Sequence, residues 1–243
     1  MNDASPLLGD VLRLGDDPHL KEWGADALDE TPIAEIGDVS GAVYDLVCAS
    51  LGDQPRIHPS AYVSPLACVH DDVVIGPGAR VYEYSTVRGR TVISGGAHIG
   101  YGCEVSRSVL SQGTILSHRA TVGYSVLGRD AYFAADVVIA VCLLANSDML
   151  RPTKTVHYAL PTGRRMSTGQ PKWGALVGAG VRAGVRVTLG PGAIVGAASV
   201  LHAGVNVSTT WIPPHSTLHQ PTTGYQIIPT QGASCATKPH AST

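Results

Sequence analysis

Branched aliphatic residues recur at every sixth position from Ile57 to Val105: Ile57, Val63, Val69, Ile75, Val81, Val87, Ile93, Ile99 and Val105, without a miss. Four residues after each stands something small or β-branched, namely Ala61, Ala67, Val73, Ala79, Ser85, Thr91, Ala97, Cys103 and Val109. A period of six matches neither the 3.6 of a helix nor the 2 of an ordinary strand. It predicts short flat strands, each turning its aliphatic and its small residue inward, with three strands closing one triangular coil. Each coil can bury its apolar edge only against the next, so the pattern is that of a stacked parallel β-helix.

The phase returns at Thr121, Leu127, Phe133 and Ile139, and again at Val177, Ala183, Leu189, Val195, Leu201 and Val207. Roughly 21 hexads, or about seven coils, are implied; at ~4.8 Å between hydrogen-bonded strands they build a prism about 30 Å tall. Two interruptions stand out. Val105 to Thr121 spans 16 residues where three hexads would take 18, which predicts a tightened coil around His118. From Cys142 to Lys172 the period vanishes, so a long loop must leave the prism, and long loops in compact domains usually carry function.

Outside the prism, residues 1–39 mix Leu with Asp, Gly and Pro without a period and read as a partly ordered arm. In residues 40–55, Ser40 could cap a helix with Val43, Leu46, Val47 and Leu51 on one face. That helix is expected to plug the open first coil, whose apolar edge would otherwise be bare. The β-helix occupies 56–207, with 142–172 as its inserted loop. Residues 208–243 form a C-terminal arm with Trp211, Tyr225, Ile227 and Ile228 as possible anchors, and 229–243 read as disordered.

Composition adds an electrostatic asymmetry. Residues 1–55 carry twelve acidic and two basic side chains, whereas 56–243 carry seven acidic and fifteen basic. A cationic body under an acidic appendage suits small anionic ligands. The five cysteines are odd in number and lack CxxC spacing, which argues against a disulfide framework or a zinc site. No stretch reads as a secretion signal or membrane span, so a cytoplasmic protein is expected, with no membrane or nucleic-acid partner.

Residues one coil apart stack, which turns spacing into geometry. Arg88 falls near Ser106 and its neighbour Glu104; the next layer holds His118 to Thr121, and the one after holds Ala140 to Cys142, where the loop begins. A guanidinium, a carboxylate and an imidazole thus line one flank beside the insertion. Acyl transfer to an amine needs such parts: an anion clamp, a group to orient the amine, and a base that titrates near neutrality. A polar His at an irregular turn is the plainer reading of the imidazole alone.

The stretches "TVRGRTVISGGAHIGYGCEVSRSVLSQGTILSHRATVGYSVLG" and "STGQPKWGALVGAGVRAGVRVTLGPGAIVGA" resemble the C-terminal acetyltransferase half of the bifunctional sugar-1-phosphate nucleotidylyltransferase/amino-sugar N-acetyltransferases, especially the archaeal type. The resemblance covers about residues 56–207 and implies a hexapeptide-repeat, left-handed β-helix of the acyltransferase kind. It places His118 on the family's general base, Arg88 on its sugar-phosphate arginine, Glu104 on the glutamate of its E-I-K-N-S motif, and Lys172 on a basic residue at the loop exit. It further implies a homotrimer with acetyl-coenzyme A as co-substrate and no metal. Coenzyme A would lie between neighbouring prisms, with Gly178, Ala179 and Gly184 near its pantetheine arm. Independently of the resemblance, the loop's Arg151, Lys154, Arg164, Arg165 and Lys172 could grip the phosphates of coenzyme A or of an anionic acceptor.

The departures point to a changed acceptor. The family's lysine two residues after the glutamate is Ser106 here, its tyrosine three residues after the histidine is Thr121, its G-D-S aspartate is Tyr124, and its asparagine at the start of the loop aligns with Val141. Losing these groups would leave polar atoms of glucosamine-1-phosphate unpaired, at about 1–3 kcal/mol each. Thr121, Tyr124 and the loop's Asn146 remain candidate acceptor ligands. The resulting expectation is a coenzyme-A-dependent N-acyltransferase acting on an amino sugar, a nucleotide-linked sugar or an aminocyclitol. The alternative is a non-catalytic or repurposed β-helix that binds a sugar nucleotide or a partner protein. A metal-dependent hydratase on the same scaffold fits poorly, because the one close His pair, His215 and His219, lies beyond the expected coils.

Overall fold

The computed structural model describes residues 4–220. Tyr225, Ile227, Ile228 and the segment 229–243 lie outside the described residues. Two- and three-residue strands stack into three parallel sheets of eight, seven and seven strands. Seven full coils and one further strand result, forming a left-handed β-helix. The first face runs from Tyr62–Val63 to Thr217–Leu218, the second from Cys68–Val69 to Asn206–Val207, and the third from Val73–Ile75 to Trp211–Ile212. The prism therefore continues past Val207, where the hexad count ends, because Ile212 and Leu218 carry on the inward series.

The aliphatic positions of the repeat form the inner stack, with Val81, Val87, Ile93, Ile99, Val105, Leu127 and Phe133 each 0 % exposed. Ala79, Ala97 and Ser85 close the corners beside them. One phase expectation is corrected: Thr121 is exposed and Val122 is the strand's residue in the inner core. Val122 pairs with Val105, and Leu110 with Leu127, both 17 apart. The tightening is thus one residue per coil, taken at the corner between the second and third faces, where Val105–Leu110 and Val122–Leu127 each advance by five.

The same corner emits the loop. Val141 C=O accepts from Trp173 N–H (2.8 Å), closing the excursion at its neck. The loop is not structureless, since His157–Ala159 and Arg165–Ser167 form an antiparallel hairpin. Its Tyr158 is fully buried and stacks on Trp173, with ring centroids 6.1 Å apart.

Residues 4–38 form an ordered layer in place of the expected partly ordered arm. Leu8, Leu12, Leu14, Leu20 and Ile33 join Val43 and Val47 of the helix Val39–Leu51 in a second core. That core covers the outward side of the third face, Val74, Val92, Val109, Val126, Leu176 and Ile194. The helix lies along this face and does not plug the first coil. Its N-cap is Asp38, whose carboxylate accepts from Gly41 N–H (3.0 Å), and Ser40 donates to the same oxygen. Asp17 pins the arm to the prism: its buried carboxylate accepts from His19 N–H, Leu20 N–H, the Ser94 hydroxyl and Gln112 N–H, at 2.7–3.1 Å. No helix among the described residues is long and apolar enough to cross a membrane.

Candidate active site

With the third face covered, chemistry is left to the outward side chains of the first two. On the second face Thr86, Glu104, Thr121 and Val138 stack in register, as do Arg88, Ser106 and Gly123. Arg88 Nη2 donates to Glu104 Oε1 at 2.6 Å, with both side chains about half exposed (46 % and 48 %). The expected neighbourhood of these two groups is therefore a direct ion pair. In so exposed a setting it contributes at most about 1 kcal/mol, so a ligand can part it cheaply.

His118 stands in the corner between the first and second faces, one coil on from Glu104, and its imidazole is exposed. The backbone around it is fixed. His118 C=O accepts from Asp136 N–H, and Arg119 N–H donates to Tyr101 C=O, both at 2.9 Å. Arg119 adopts the left-handed region (φ 51°) and reaches Asp136 at 2.8 Å. The guanidinium holds the Asp136 carboxyl below the usual carboxylate range. These contacts occupy the residues on either side of the ring's mount and leave the ring itself to face outward.

It faces a cavity of about 330 Å³ lined by Tyr82, Glu83, His98, Tyr101, Ile115 and Ser117. That is the low end of ligand-pocket volumes, room for a reacting group with the rest of a substrate outside. His98 and the two tyrosines are residues that motif matching passes over. Burial, then the positive charge of Arg80, push the His98 imidazole below its ordinary pKa. The ring stands edge-on to Tyr82, centroids 6.3 Å apart, and Tyr84 meets Tyr101 in the same way at 5.4 Å. One-coil spacing could have found them, since His98 lies 18 residues after Arg80 and Tyr101 lies 17 before His118.

The other expected site residues divide by location. Thr121 joins the Glu104 column. Tyr124 sits at the corner beside the loop neck, with Lys172 Nζ 5.9 Å from its ring centroid. Asn146 is spent on the loop: its Oδ1 accepts from Thr153 and Lys154 N–H, and its Nδ2 donates to Leu143 C=O. Arg165 lies exposed on the hairpin next to Arg164. Gly184 is on the His118 edge, packed where a Cβ would meet Ala203 N at 2.7 Å. Gly178 and Ala179 are on a different edge, under the arm, where a Cβ on Gly178 would meet Val11 C=O at 2.9 Å. The positions expected near coenzyme A are therefore not one intrachain surface.

No family model matches the chain. Over 183 residues it is 30 % identical to the bifunctional sugar-1-phosphate nucleotidylyltransferase/acetyltransferase of Sulfurisphaera tokodaii, an alignment covering 75 % of this chain and 42 % of that one. It is 30 % identical over 93 residues to the carnitine operon protein CaiE of Escherichia coli, covering 35 % and 47 % of the two chains. The chain spans less than half the length of these relatives. Among solved structures, the Arabidopsis UDP-N-acetylglucosamine acyltransferase aligns with a TM-score of 0.41 at 16 % identity, covering 68 % of this chain and 61 % of that one.

Proposed function

We propose that this chain, a homologue over three quarters of its length of a sugar-1-phosphate nucleotidylyltransferase/acetyltransferase, is a coenzyme-A-dependent N-acyltransferase acting on an amino sugar or related amine. The observation that carries the reading is His118, an exposed imidazole on a rigid corner, opening on a cavity one coil from the Arg88–Glu104 pair. In the reaction the neutral amine attacks the thioester carbonyl, forming the C–N bond. The C–S bond then breaks and coenzyme A leaves as its thiolate. His118 takes the amine proton during attack and returns it to the departing sulfur. Glu104 orients the amine, and Arg88, released from Glu104, holds an anionic or hydroxyl-rich part of the acceptor.

A second reading, a scaffold that binds a sugar nucleotide or a partner protein without turnover, is favoured by one observation. Ser106, Thr121 and Val141 stand where the resembled enzymes hold a cation, an aromatic hydroxyl and an amide. Titration calorimetry with coenzyme A and acetyl-coenzyme A separates the two. Micromolar binding at about one site per chain supports the acyltransferase, and no detectable binding supports the scaffold. Once an amine is turned over, His118→Ala should lower kcat about 10²–10⁴-fold with an unchanged thermal midpoint. Parent-like turnover would remove His118 from the mechanism.

A further inference from the structure

At the corner that emits the loop, two cations share one aromatic ring. Arg107 Cζ is 5.5 Å from the centroid of Tyr124, and Lys172 Nζ is 5.9 Å from the same centroid. All three side chains are half-buried. Elsewhere on the prism Arg88, Arg90, Arg119 and Arg129 each meet a carboxylate, and Arg80, Arg182 and Arg186, which do not, are exposed to solvent. Among the described residues, Arg107 and Lys172 meet none. Two like charges held near one ring, with no counter-anion, form a site whose own electrostatics call for one.

The backbone fixes the cluster. Arg107 and Tyr124 take the left-handed region (φ 46° and 48°) at two successive corner steps that are one residue short. The stem of Arg107 lies across Gly89, its Cγ 3.4 Å from where a Cβ would stand. Lys172 is held by its neighbours, Trp173 N–H donating to Val141 C=O and Gly174 N–H to Tyr124 C=O. Next to Arg107 is Ser106, and three residues before Tyr124 is Thr121, the two positions where a cation and an aromatic hydroxyl are missing from the second face. Both chemistries reappear at the corner, displaced toward the loop.

We propose that Arg107, Tyr124 and Lys172 form a phosphate-binding corner, with the two cations holding phosphoryl oxygens and the tyrosine keeping them apart and in place. The corner stands without the acyltransferase reading; that its phosphate belongs to a phosphorylated or nucleotide-linked acceptor rests on it. The experiment is calorimetric titration of the full chain with inorganic pyrophosphate at low ionic strength, comparing the parent with Arg107→Met and Lys172→Met. Methionine keeps the stem against the ring, so thermal midpoints should match the parent. Each variant is expected to weaken pyrophosphate binding by about tenfold or more, while Lys21→Met, on the exposed surface of the arm, leaves it unchanged. Absence of pyrophosphate binding in the parent, equal binding in both corner variants, or an equal loss in Lys21→Met would each overturn the proposal. Coenzyme A titrated against the corner variants distinguishes the sources. Parent-like affinity assigns the phosphate to the acceptor, and a parallel loss assigns it to coenzyme A; the corner stands in either case. If the parent binds pyrophosphate but not coenzyme A, the corner survives and the acyltransferase reading falls.

Discussion

Val92 and Val138 occupy outward positions on two faces of the same prism, yet Val92 is 0 % exposed and Val138 is 39 % exposed. Beneath both runs the same stack of aliphatic side chains. The difference lies in what covers them: the arm, the helix Val39–Leu51 and the loop hairpin all settle on the third face. Its outward residues are uniformly apolar, aliphatic from Val74 to Ile194 and then Trp211, a sheet covered on both sides. The first and second faces put Arg80, His98, Arg88 and Glu104 at outward positions. A scaffold whose interior is monotonous thus separates stability from chemistry by face.

A charge introduced on each face tests that separation. Val92→Asp buries an unpaired carboxylate between prism and arm and should cost about 3–5 kcal/mol in denaturant unfolding. Val138→Asp should cost less than about 1 kcal/mol. Equal losses would mean that the arm contributes little to the folded state. A smaller effect is expected at the pin. Asp17→Asn turns one accepting oxygen into a donor, opposing either Gln112 N–H or the Ser94 and helix N–H groups. A loss of about 1–3 kcal/mol is expected, with limited proteolysis cutting first within the arm. Parent-like stability and proteolysis would show that apolar contact alone holds the layer.

The interior was legible because a six-residue period has few other physical solutions. What escaped was everything set by contacts between unlike elements. The arm has no period because it is built from short turns closed by side-chain carboxylates, such as Asp29 on the N–H groups of Leu14 and Gly15. Its docking face could nevertheless have been read from Val73–Ile75 and Ala193–Val195, where three apolar residues run together instead of alternating. Counting in sixes hid the five-residue corner steps and put Thr121 in place of Val122. At the site, one-coil stacking sufficed to bring Arg88 to Glu104 and His118 to the next layer. It did not reveal that Asn146 is consumed by its own loop, or that Gly178 and Ala179 lie under the arm, since both depend on segments without repeat.

The smallest expected effect again contrasts the faces, now through protons. His98, on the open first face, has its pKa depressed by burial and by Arg80. Above about pH 6.5, the ordinary histidine value, His98 is neutral in both the folded and the unfolded chain and adds no pH dependence. Below it the unfolded chain takes up a proton that the folded chain still refuses. Stability therefore falls with pH until the folded His98 itself titrates. The aliphatic outward row of the third face supplies no such group. Unfolding measured from pH 7.5 to 5 should accordingly show a shallower acid-side decline in His98→Gln than in the parent, with the NMR midpoint of the His98 ring below 6.5. Matching slopes would place the ring in ordinary solvent.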